Sequence, residues 1–154
     1  MPRRSPSPPA SWLALDHQLC FALYSSSLAM TKLYKPLLEP LGLTYPQYLV
    51  MLVLWEQDGL AVSQVGERLF LDSGTLTPLL KRLQTAGLIE RQRDDADERR
   101  VLVHLTPAGR TLRQRAQAIP EHITCAVACD LAEISRLTQE LKALRERLTA
   151  ASAA

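Results

Sequence analysis

Apolar residues recur along this chain mostly at helical spacing, with one interval of period two. From Leu15 or Asp16 to Leu38, apolar positions that include Leu19, Leu23, Leu33 and Leu37 mark a long helix, which Pro40 and Gly42 stop. Thr44-Tyr45-Pro46-Gln47 has the spacing of a capping box and predicts a second helix running to about Asp58. Tyr48, Leu49, Met51, Leu52, Leu54 and Trp55 make that helix apolar nearly all round, so it is expected in the core, Trp55 included. A short helix capped by Ser63 follows and stops near Phe70. Asp72 is placed to cap the next one, where Leu76, Leu79, Leu80 and Leu83 fall at i, i+3, i+4 and i+7 and Gly87 ends the helix. The period then drops to two. Residues 88–93 and 100–105 read as strands joined by a charged loop, Val101, Val103 and Leu105 alternating with Arg100, Leu102 and His104. Thr106 caps a further helix with Pro107 at its first position, and Pro120 interrupts it. A last long helix runs to about Thr149, with Ile134, Leu137, Leu141, Leu144 and Leu148 on a heptad-like stripe.

Helix, turn, helix and β-hairpin in that order make a winged helix-turn-helix. The expected fold is mainly α with a small β-wing, the N- and C-terminal helices forming a dimerisation domain. Residues 1–14 are assigned to a disordered arm, 15–43 and 107–150 to dimerisation helices, and 44–106 to the DNA-binding domain. Opposite its leucines the second helix of the motif carries Ser73, Gly74, Thr75, Thr77, Pro78, Lys81 and Arg82. A face that is small at its start and cationic further on suits the major groove. Pro78 removes one helical hydrogen bond, so the helix either bends there or effectively begins near Thr77. In the wing loop, Asp97 stands two residues from Arg99, where a carboxylate can hold the guanidinium pointed into a narrow minor groove. The terminal helices each present an apolar stripe, and a two-fold dimer in which they interdigitate covers both. Two reading helices about one DNA turn apart then match a palindrome. Packing the two stripes within one chain is the alternative.

Charge changes this picture little. The net charge of the 154 residues is only +2. Between Arg68 and Arg115, however, ten lysines and arginines face six acids, a local +4 that leaves −2 for the remainder. The three cysteines, Cys20, Cys125 and Cys129, are too few and too scattered for a secreted disulfide scaffold. The longest apolar run, residues 48–55, falls far short of the roughly 20 a membrane span needs. The opening MPRRSPSPPASW has no apolar stretch of the kind a signal peptide carries. The expected setting is the cytoplasm, with no membrane partner. Cys125 and Cys129 sit at i, i+4 near His122, yet no matching Cys/His pair exists elsewhere, so no metal or other cofactor is expected. His17 and His104 read as surface or strand residues.

DSGTLTPLLKRL, AGLIERQR, DERRV and LTPAG resemble the MarR family of bacterial repressors. The first string, together with a lone cysteine near the N-terminus, resembles more narrowly the organic hydroperoxide resistance regulators of the two-cysteine type. The resemblance spans roughly residues 15–148. It implies a non-enzymatic repressor that binds a palindromic double-stranded DNA operator as a homodimer and is released by an organic hydroperoxide. Taken alone, Cys20 reads as a small buried hydrophobe or as a thiol that the helix dipole favours as thiolate. The resemblance makes it the sensing cysteine. It likewise implies that Tyr34 and Tyr45 hydrogen-bond the reactive sulfur, while Tyr24 stands one turn from Cys20. Tyr34 lies about 21 Å along a straight helix from Cys20, fourteen residues at 1.5 Å each, so any Cys20 sulfur it touches belongs to the second copy. The resolving thiol implied is Cys125 of the other subunit, with Cys129 the spare. The runner-up is a repressor of the same family released by a small phenolic or apolar ligand, the cysteines being passengers. A thiol peroxidase and a coiled-coil module account for less of the chain.

Overall fold

The computed structural model describes residues 12–153, so most of the arm assigned to residues 1–14 lies outside the described residues. The chain divides after Leu112 into two compact units. The first holds α1 (Leu19–Leu38), α2 (Tyr45–Glu56), β1 (Leu60–Ala61), α3 (Val62–Leu69), α4 (Ser73–Thr85), β2 (Ile89–Arg93), β3 (Val101–Leu105) and the start of α5 (Pro107–Ala116). The second holds the end of α5, α6 (Ile119–Val127) and α7 (Leu131–Ala153).

Helix α1 begins later than its apolar pattern suggests, because a 3₁₀ turn over Leu15–His17 precedes it. Its exit agrees: Leu38 is its last residue, and Gly42, at φ 70°, closes the 3₁₀ turn that follows. At α2 the capping box forms, the Gln47 N–H donating to Thr44 Oγ1 at 3.5 Å and the Thr44 N–H to Gln47 Oε1 at 2.9 Å. Tyr48, Val50, Met51, Val53 and Leu54 of this helix are buried and meet Leu76, Leu80 and Leu83 of α4 in the core.

Ser63 does not cap α3. It lies inside the helix, and the start is held by Gln64 Oε1, which accepts the Ala61 N–H at 2.9 Å. Ala61 occupies the N-cap position but its methyl group offers no acceptor, and β1 ends on it. Leu60 and Ala61 pair antiparallel with Val103 and Leu102, which makes β3 the centre of a three-stranded sheet in the order β1-β3-β2. The β2–β3 hairpin pairs Ile89 with Leu105 and Arg93 with Val101. Each hairpin strand starts one residue later than the alternation suggested.

Asp72 caps α4 as expected, its Oδ1 accepting the Thr75 N–H at 2.7 Å. The helix begins at Ser73 and runs unbroken past Pro78. The alternative start near Thr77 is therefore wrong: the Asp72 cap secures the first turn that Pro78 leaves one bond short. At the far end Gly87 adopts φ 76°, its N–H donating to the Gln84 carbonyl at 3.0 Å and the Leu88 N–H to the Leu83 carbonyl at 3.0 Å. That pair of bonds is a Schellman motif. Thr106 caps α5 through the Gly109 N–H at 3.1 Å.

The last expected helix is two. Ala128 turns left-handed at φ 57°, α6 ends at Val127, and Asp130 opens α7 by accepting the Glu133 N–H at 2.7 Å. None of the 23 residues of α7 is buried, and of α1 only Leu38 is. Among the described residues no single helix is long and apolar enough to cross a membrane.

Candidate functional site

Two regions carry the expected chemistry. The first is α4 with the wing. Leu76, Leu79, Leu80 and Leu83 point into the core, which turns Ser73, Gly74, Thr75, Pro78, Lys81 and Arg82 outward as exposed residues, with Thr77 half-buried at the edge. Thr77 Oγ1 donates to the Ser73 carbonyl at 2.7 Å, so its hydroxyl is held along the first turn. The capping bond to Thr75 holds the Asp72 carboxyl below the ordinary carboxylate value.

The wing tip explains its own acids. Asp94 Oδ1 accepts the Ala96 N–H at 3.0 Å, and Asp97 Oδ1 accepts the Arg99 N–H at 3.0 Å. The Asp94 N–H and the Arg100 carbonyl then close the loop at 2.9 Å. Asp97 thus engages the backbone of Arg99 rather than its guanidinium, correcting the expected side-chain clamp. A carboxylate one residue from the turn finds the amide nearer than the end of a long side chain. Both Asp97 and Arg99 are exposed.

Between α4 and the wing lies a groove of about 240 Å³ whose lining includes Thr77, Arg91, Arg99 and Arg100. Arg91 and Arg100 were not among the expected DNA-facing residues. Gln84 Oε1 accepts from Arg91 Nε at 2.8 Å, and Gln64 Oε1 accepts from Arg100 Nη2 at 3.4 Å. Both arginines thereby stand over the groove between helix and hairpin. Arg91 lies on β2 and Arg100 just before β3, and that position flanking the wing was the available signal.

The second region is the first helix and its surroundings. Cys20 is the second residue of α1 and exposed, between Leu19 and Phe21, which are exposed as well. Tyr24, one turn on, is 63% exposed. Tyr34 and Tyr45 come together far from it: their ring centroids are 4.8 Å apart, and Tyr48 joins them at 5.8 Å from Tyr34 and 6.4 Å from Tyr45. Burial, and then the neighbouring phenols, push the Tyr34 hydroxyl up to about 12, so it stays a protonated donor at any physiological pH. Burial raises Tyr45 as well. Because α1 is continuous from Leu19 to Leu38, Cys20 and Tyr34 remain about 21 Å apart along one helix.

Cys125 is exposed on α6. Cys129 is not one helical turn further on, as its spacing suggested, but in the break before α7. Its thiol donates to the Val127 carbonyl at 3.6 Å, and its partial burial with the Glu133 and Asp130 carboxylates pushes it above the ordinary thiol value. Among the described residues no group of three or more His, Cys, Asp or Glu gathers as a metal site.

Residues 32–116 match the family model described as transcriptional regulator SarA/Rot. The chain is also 49% identical to the organic hydroperoxide resistance transcriptional regulator of Bacillus subtilis over 136 residues, 88% of this chain and 92% of that one. The chain belongs to the MarR family, in its organic hydroperoxide resistance group. It is a DNA-binding winged-helix transcriptional regulator, and the relatives are regulators rather than enzymes. A second relative, the regulator TtmR of Methylorubrum extorquens, is 48% identical over 89% of this chain and 70% of its own. Among solved structures, AbfR of Staphylococcus epidermidis is similar in several states. Reduced and bound to DNA it is 36% identical with a TM-score of 0.73, covering 90% of this chain and 96% of that one. In its disulfide-formed state the values are 33% and 0.59, over 94% and 96%. AbfR has also been solved overoxidised and bound to DNA.

Proposed function

We propose that this regulator is a repressor that senses organic hydroperoxides through Cys20. Reduced, a homodimer holds a palindromic operator, each copy presenting Ser73, Gly74, Thr75, Thr77, Pro78, Lys81 and Arg82 to the major groove and the wing, with Asp97 shaping the tip behind Arg99, to the minor groove. The dimerisation surface comes from residues 15–43 and 107–150, whose exposed apolar stripes on α1 and α7 a second copy covers. The Cys20 thiolate attacks the O–O bond of the hydroperoxide. The sulfur is oxidised to a sulfenic acid, and the alkoxide leaves as an alcohol after taking a proton. The Cys125 thiol of the second copy then displaces hydroxide from that sulfur, giving a disulfide and water. A disulfide tolerates Cα separations only up to about 7 Å, so forming it moves helices and releases DNA.

One observation carries this reading. Cys20 is an exposed thiol on the first turn of a helix whose Tyr34, fourteen residues on, is already paired with Tyr45 as a protonated donor. Along an unbroken helix the Tyr34 hydroxyl is out of reach of its own chain's Cys20, which supports a site completed by a second copy. Cys129, held protonated in the helix break, stays the spare thiol.

The test is Cys20→Ser, assayed on a duplex selected from random DNA by the reduced wild-type protein. The variant is expected to bind that duplex within about twofold of wild type and to stay bound when hydroperoxide is added. Release of the variant by hydroperoxide would end the redox reading. Release of both proteins by a phenolic ligand alone would favour the small-molecule alternative.

A further inference from the structure

Tyr34, Tyr45 and Tyr48 are joined to the cap of α4 by a short run of contacts through Trp55. Its ring lies 6.4 Å from that of Tyr48, edge-on, about two helical turns further along α2. The indole N–H donates to the Gly109 carbonyl at 2.9 Å. Gly109 is held closely: its N–H is taken by Thr106 Oγ1, and a Cβ on it would collide with the Leu88 carbonyl oxygen. Thr106 in turn donates from Oγ1 to the Gly87 carbonyl at 2.6 Å and from its N–H to the Leu88 carbonyl at 3.1 Å. Gly87 and Leu88 are the two residues whose N–H groups close α4. A second tie runs in parallel, since Asp58, just beyond α2, accepts the Leu105 N–H at 2.8 Å and lies 3.5 Å from the Arg110 guanidinium.

We propose that Trp55 is the positioning residue through which the state of the tyrosine cluster reaches the DNA-reading helix. A disulfide at Cys20 withdraws the sulfur that Tyr34 and Tyr45 serve, and their rings repack against Tyr48. Trp55 carries that displacement to the Gly109 carbonyl through the indole hydrogen bond. The C-terminal cap of α4 shifts with it. This inference rests on the redox reading above and adds the route from thiol to DNA. A packed, hydrogen-bonded joint with no room for a methyl group transmits displacement instead of absorbing it.

The experiment uses the full chain and the duplex selected by the reduced wild type. Dissociation constants for wild type and Trp55→Phe are measured before and after one equivalent of tert-butyl hydroperoxide, with Cys20 oxidation followed by thiol labelling. Trp55→Phe keeps an aromatic ring beside Tyr48 while removing the indole donor and part of the ring volume. Its reduced affinity is expected within about twofold of wild type, with Cys20 oxidised at the same rate. Its oxidised-to-reduced ratio of dissociation constants should fall by about threefold to tenfold, the range one neutral hydrogen bond supports. An unchanged ratio at equal Cys20 oxidation overturns the role of Trp55 and leaves the redox reading intact. No release of wild type at full Cys20 oxidation overturns both. A readout without substitution at position 55 guards against misfolding: in a Trp12→Phe protein, Trp55 emission should shift on oxidation, and a constant spectrum also overturns the proposal.

Discussion

Helices α4 and α7 are both amphipathic and rich in leucine, and they use those leucines in opposite ways. In α4 the four leucines at i, i+3, i+4 and i+7 are buried against the chain's own core, with Leu83 at 0% exposure. In α7 the same residue type at the same kind of spacing stays in the open, Leu141 at 50%. The first helix has its orientation fixed by its own subunit, so its polar face can be aimed at a ligand. The second has an apolar face whose complement must come from elsewhere. A leucine stripe therefore states that a face will be covered; only the surrounding fold says by what.

Breaking the two stripes sharpens the contrast. Leu83→Ala should cost about 2–5 kcal/mol in urea unfolding, the range for a truncated core leucine. The matched change on α7, Leu137→Ser with Leu141→Ser, should alter the stability of the single chain by only about 0.5 kcal/mol. In sedimentation equilibrium the same double variant should fall from two chains to one. A dimer that survives it would mean that the α7 stripe is not the interface. On the reading face of α4, Lys81→Ala should leave unfolding almost unchanged. It should lower the slope of log affinity against log salt by about 0.9, one phosphate contact, in a titration from 50 to 200 mM salt.

The smallest effect concerns the Asp72 cap. Its folded-state acidity is displaced downward by the bond from the Thr75 N–H. Its contribution is therefore complete above the unfolded carboxylate value of about 4 and is lost as pH falls through the lower folded value. Thermal melts of wild type should decline more steeply below pH 4 than those of Asp72→Asn, which keeps a capping oxygen and cannot titrate. Parallel curves would remove the charge from the capping argument.

How far the sequence reached follows the same division. Where a signal is local, it was legible: the Thr44–Gln47 box, the Asp72 cap, the Gly87 terminus and the wing alternation all appear where spacing puts them. Where tertiary pairing decides, it was not. The two residues of β1 show no alternation because both are buried, and their pairing with β3 displaced the expected Ser63 cap to Ala61 and Gln64. The break before α7 lacks glycine or proline, yet Asp130 followed three residues later by Glu133 has the spacing of a helix start. In the candidate site, Ser73 to Arg82 were legible from one helical face. Arg91 and Arg100 were not, since a groove between helix and hairpin exists only once both have packed.

The bare flank of α7 has one more consequence. A helix that buries none of its own residues gains little from its subunit beyond intrinsic propensity, and isolated helices of ordinary composition are marginal in water. Secondary structure in this chain should then follow mass action: circular dichroism of a dilution series should lose ellipticity as partners separate, without any added denaturant. For such a molecule, abundance in the cell is itself a determinant of shape.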